Sequence, residues 1–141
     1  MPTIHNLASA LPAPQPDDPA SRLLLFGMRQ MGANGLDDAC AARAFVTAFG
    51  KGFQRPLILL RTLMMELSAV SARPIQIAPW CCPRMTAGEG AVIAAVGKTM
   101  TNDRAANLLL SDLLGTRDAT GPVATATALA IAFADLGLPL G

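Results

Sequence analysis

Apolar side chains recur at three- and four-residue intervals in six separate stretches of this 141-residue chain, and glycine or proline fences almost every stretch. That period is the signature of amphipathic helices, each with one face to hide. Strand formation has little to work with, because aromatic residues are 4% of the chain and tyrosine is absent. Alanine, leucine and methionine dominate instead, and these head the helix-propensity scale. The expected fold is therefore all-α: a compact bundle of about six short helices.

The boundaries follow from local chemistry. Residues 1–18 hold four prolines and Asp17-Asp18, and predict a flexible Pro-rich arm. Residues 19–141 form the single helical domain, a length that supports one core. Asp18 caps a first helix opened by Pro19, with Leu24, Met28 and Met31 inward and Asn34-Gly35 as its close. Asp37 or Asp38 starts a second, whose inner face is Ala41, Ala44, Phe45, Ala48 and Phe49. Pro56 opens a third, the expected central helix, with Leu60, Leu63, Met64, Leu67 and Val70 as its stripe and Ile58, Leu59 and Met65 adding apolar surface. Thr86 and Glu89 match the capping box of a fourth. Asp103 caps a fifth, which Gly115 ends in a left-handed turn, and Pro122 opens a sixth through Ala126, Leu129, Phe133 and Leu136.

Residues 73–83 interrupt this pattern with three prolines and the alternation Ile75-Gln76-Ile77. The segment reads as an extended Pro/Cys connector that crosses the bundle surface with both isoleucines inserted. It carries the one cluster with chemical potential: Trp80, Cys81, Cys82, Arg84 and Met85 form a candidate reactive or ligand-binding loop. A bridge between neighbouring cysteines closes a strained ring, so both thiols are expected reduced, and Cys40 is expected to be a small core residue. Three readings of the loop stand side by side. Trp80, Cys81 and Met85 plug a gap in the bundle; or Cys82, near Arg84 and a helix start, is a reactive thiol; or the thiolates bind a metal or haem. A closed tetrahedral site in one chain would need all three cysteines and the distant His5.

Other function classes find little support. Net charge is +1 with basic residues scattered singly, so no nucleic-acid footprint is expected. As a helix-turn-helix reader, the second helix would have only Arg43 and Lys51 with which to address a duplex. Two glutamates and no Glu-x-x-His pair exclude a bundle di-iron centre, and neither a phosphate-cradling loop nor a hydrolase elbow occurs. Glu66 is expected to be solvated or to touch a neighbouring helix rather than to catalyse. No cofactor and no catalytic residue is assigned.

Mean hydropathy is +0.40, yet the uncharged run 120–134 falls short of the roughly 20 residues a membrane span needs. No membrane partner is expected, and the absence of a basic N-terminal region makes a cytoplasmic location the default. Charged residues are 15% of the chain against roughly 25% in ordinary soluble domains. A surface so short of charge favours a homo-oligomer, a dimer first, mating through an Ala- and Leu-rich face.

The segments Arg22-Leu23-Leu24-Leu25-Phe26-Gly27, Arg55-Pro56-Leu57 and above all Pro79-Trp80-Cys81-Cys82-Pro83-Arg84-Met85-Thr86 together resemble a small bacterial family of uncharacterised helical proteins. The resemblance covers most of the chain beyond the arm. It implies a bacterial cytosolic origin and brings no activity, cofactor or catalytic residue. The expected role is a non-enzymatic helical scaffold or regulatory interaction protein that self-associates, and its rival is a thiol-based redox or metal/haem-responsive sensor using Cys81 and Cys82.

Overall fold

The computed structural model describes residues 13–140, so His5 and most of the arm lie outside the described residues. Its order is β1 (Ala13–Pro14), α1 (Pro19–Asn34), α2 (Ala39–Phe49), a single 3-10 turn (Gly50–Gly52), α3 (Gln54–Val70), β2 (Arg84–Met85), α4 (Ala87–Lys98), α5 (Asp103–Leu114) and α6 (Thr120–Asp135). The fold is all-α. Among the described residues the strands are a single two-residue antiparallel pair, β1–β2, with Ala13 opposite Met85 and Pro14 opposite Arg84.

Side-chain caps start α1, α2, α4 and α5, and the helix starts read from the sequence hold with three shifts. Asp18 accepts from the Ser21 amide at 2.9 Å and Asp38 from the Ala41 amide at 2.9 Å. The cap of α5 is Asn102, which accepts from the Ala105 amide at 3.1 Å; Asp103, the predicted cap, is the first helical residue and faces the positive dipole end. Helix α3 begins at Gln54 rather than Pro56, because Phe53 already has helical φ and ψ. Helix α6 begins at Thr120, ahead of Pro122; a proline fits there because first-turn amides have no intrahelical acceptor. Asp118 accepts from the Thr120 amide at 3.0 Å, and hydrogen bonds from Thr120, its side chain foremost, hold the Asp118 carboxyl below the usual carboxylate range.

The bundle core forms where α3 packs on α6, α4 on α5, and α1 on α2 and α3. Leu24, Met28, Leu60, Leu63, Leu110, Leu114, Leu129 and Phe133 are fully enclosed. Phe45, Phe49 and Phe133 meet edge to face, their ring centres 5.0–5.9 Å apart, which ties α2 to the far end of α6. Buried Ala126, Ala130 and Ala132 let α6 approach its neighbours closely. Gly27 does the same for α1: a Cβ there would stand 2.6 Å from Leu60 Cδ2 and 3.2 Å from Phe45 Cε1. Gly115 ends α5 at φ 67° and ψ 32°, the left-handed cap expected of it.

Burial also corrects parts of the expected core. Cys40 is exposed rather than internal, and Ala48 and Val70 sit outside the inner faces assigned to them. Each lies within two residues of a helix end. Ile75 and Ile77 do pack against the core from the connector, with Gln76 turned out between them.

Candidate functional site

The chemistry of the connector is concentrated on one ion pair between α1 and α4. Arg29 and Glu89 have side chains only 1% and 0% exposed, and Arg29 Nε donates to Glu89 Oε2 at 2.9 Å while Nη2 donates to Oε1 at 3.0 Å. This is the side-on, two-bond geometry for which a guanidinium and a carboxylate are shaped.

Both partners then reach into the connector. Arg29 Nη1 donates to the Cys82 carbonyl at 2.7 Å and Nη2 to the Arg84 carbonyl at 2.8 Å. Glu89 Oε2 accepts from the Ala78 amide at 3.1 Å, and Oε1 accepts from the Thr86 amide at 2.9 Å. Four backbone groups with no secondary-structure partner are thus satisfied by one pair of side chains. Removing two charges from water is costly, and it is offset only where hydrogen bonds use the remaining lone pairs and protons. Here they do: among the described residues no buried side-chain polar atom lacks a partner.

The capping box lies inside this network. Thr86 Oγ1 accepts from the Glu89 amide at 3.0 Å and donates to the Gln76 carbonyl at 2.6 Å, so the start of α4 also grips the connector upstream. From the other side, Gln15 donates through its backbone amide to the Pro83 carbonyl at 3.1 Å and through Nε2 to the Cys82 carbonyl at 2.6 Å. The Ala72 amide donates to the Leu114 carbonyl at 2.9 Å and fixes the connector's beginning to the end of α5.

The loop residues singled out by sequence lie on the outer side of this network. Trp80 is 67% exposed and Cys81 is exposed, at the crest of a turn closed by the Cys82 amide donating to the Pro79 carbonyl at 3.0 Å. The reading in which Trp80 and Cys81 plug the bundle is therefore overturned; the gap is closed by Ala78, Ile75 and Ile77 instead. Met85 alone of that trio packs against the core. Cys82 is half-buried, and the groups of Cys82 and Arg84 that the network uses are their carbonyls. Trp80 walls a shallow cleft of about 190 Å3 with Gln15, Arg22 and Phe26. Among the described residues no three His, Cys, Asp or Glu side chains gather as a metal site. Glu66 accepts from the Thr125 hydroxyl on α6, the neighbouring-helix contact anticipated for it.

Arg29 is the residue that sequence reasoning missed. Its signal was a lone charge between Met28 and Met31 on the inward side of α1, and Glu89 looked fully explained by its capping role.

The architecture defines a class: a helical bundle whose one extended crossing is tied down by a buried ion pair. The chain belongs to DUF6628, a family of unknown function, whose model matches residues 3–138. No curated protein and no solved structure matches it.

Two outcomes follow from this geometry. Arg29→Met and Glu89→Leu each leave a buried charge uncompensated and should cost about 3–5 kcal/mol in urea unfolding. The double variant should lose less than the sum, yet remain below wild type because the Arg84 carbonyl and the Ala78 and Thr86 amides stay orphaned, while Gln15 still serves the Cys82 carbonyl. A double variant as stable as wild type would deny the pair its structural role. In native protein, a thiol reagent read by mass spectrometry should modify Cys40 and Cys81 before Cys82, following exposure; a Cys82 that reacts first would mark an activated thiol.

Proposed function

We propose that this protein is a non-enzymatic helical interaction module that works as a homodimer in a bacterial cytosol, with the outer face of α3 as its mating surface. The observation that carries the reading is a seam of Ile58, Thr62, Met65 and Ala69. Spacings of four, three and four put these residues on one line of the helix, as in a coiled-coil contact stripe. Ile58 and Met65 are 56% and 55% exposed, an uncommon cost for two large apolar groups on one helix face.

The charges of α3 flank that seam rather than interrupt it, and each has a partner. Arg55 pairs with Asp135 at 3.2 Å, Arg61 Nε donates to the Leu36 carbonyl at 2.8 Å, and Glu66 is engaged by Thr125. Arg55, Arg61 and Glu66 are all the charged residues the helix has. A second copy could lay the same uncharged stripe against it across a two-fold axis. This differs from the Ala- and Leu-rich face expected from composition; Ala95, Ala106, Ala126 and Ala130 are among the alanines buried in the bundle.

Two further features support the non-catalytic, cytosolic part. The buried carboxylate of Glu89 is saturated by four donors and commits its chemistry to backbone groups. Cys40, Cys81 and Cys82 are all free thiols, which suits a reducing compartment, and among the described residues no helix is long and apolar enough to cross a membrane.

Sedimentation equilibrium from low to high micromolar concentration tests the dimer. Wild type should reach twice the chain mass. Met65→Glu should weaken association at least about tenfold, since it places a charge in an apolar contact, while circular dichroism and thermal midpoint hold. A wild type that stays monomeric, or a variant that dimerises as well as wild type, would contradict the assignment.

A further inference from the structure

A recess opens between α1, α3 and the connector, away from the mating seam. Its volume is about 420 Å3, within the roughly 300–1,000 Å3 of small-molecule sites. Met64, Ile75 and Ile77 make its apolar walls, over a closed floor of Met28, Leu67 and Val92. Gly32 lets Ile77 of the connector sit close against α1 at the edge of the recess, since a Cβ there would press to 3.2 Å from Ile77 Cγ2. Two methionines in this lining give a surface that can adapt to a slender occupant.

The polar side of the recess is one-signed. Arg73 is the single charged residue that lines it, no Asp or Glu does, and Ser68 and Ser71 supply hydroxyls on the same side. Arg73 is exposed and enters no ion pair among the described residues, and the Ser71 hydroxyl holds its carbonyl. A cation beside an apolar slot, with no anion to answer it, complements a molecule that is greasy along its length and negative at one end.

We propose that this recess binds a free, unbranched medium-chain carboxylate, the alkyl chain lying against Met64, Ile75 and Ile77, above Met28, and the carboxylate on the Arg73 guanidinium. The site does not depend on the dimer. At 100° per residue, Met64, Leu67, Ser68 and Ser71 lie around the helix from the Ile58–Ala69 stripe, so each can fail without the other.

Decanoate, kept below its micelle concentration, is the probe, and methyl NMR of protein labelled at its methionine methyl groups is the readout. The Met28 and Met64 signals should shift saturably while those of Met65 and Met100, exposed elsewhere, stay in place. Arg73→Gln, a change at an exposed side chain, should raise the decanoate Kd about tenfold, the worth of one charge-assisted contact. Decanol, which lacks the charge, should bind wild type and variant alike. The proposal is overturned if decanoate produces no saturable shift at Met28 and Met64, or if Arg73→Gln leaves its Kd unchanged. An equal loss for decanol would remove the head-group assignment. Shifts of the same two signals with protein concentration alone would show a second copy in the recess and end the proposal.

Discussion

The fold depends on a guanidinium and a carboxylate that meet in the absence of water. Arg29 on α1 and Glu89 on α4 do not simply attract each other; between them they satisfy the Ala78 and Thr86 amides and the Cys82 and Arg84 carbonyls. An extended segment cannot cross a hydrophobic bundle with unpaired backbone groups turned inward, because each would lose its hydrogen bonds to water without replacement. The pair removes that objection. Apolar residues of the same size could fill its volume, but they could not satisfy the connector.

Around that staple the remaining packing is simple. Leucines fill the centre, three phenylalanines lock the α2 and α6 ends, and alanines on α6 allow close helix approach. Helix α3 then carries three jobs on three sides. One side is core, one borders the recess beneath the connector, and one is the uncharged outer stripe. The same shortage of charge that lets six short helices pack so closely leaves this stripe without polar cover, so fold and proposed association have one cause.

The helical architecture was legible from the sequence because it rests on local signals. The Asp18 and Asp38 caps, the Thr86–Glu89 capping box and the Gly115 left-handed turn are each set by neighbours within a few residues, and the structure has all four. The connector was legible only as an interruption. Its inserted isoleucines followed from alternation, but the Arg29–Glu89 contact spans 60 residues and no local rule reaches that far. Glu89 hid behind its own cap, since the same carboxylate serves Thr86 and Arg29. Trp80 and Cys81 were expected inside because tryptophan and cysteine usually seek burial; here backbone hydrogen bonds hold the segment down, and the side chains at its crest are left facing out.

The most direct measurement of this account is amide hydrogen exchange at Ala78 and Thr86, the two connector residues whose N–H groups donate to the Glu89 carboxylate. If the buried pair truly fastens the crossing, both amides should exchange only through openings nearly as costly as global unfolding, alongside core amides of α1 and α4. Exchange at both sites as fast as at exposed loop amides, while the helices stay protected, would show a connector that lifts freely and an ion pair that holds nothing in place.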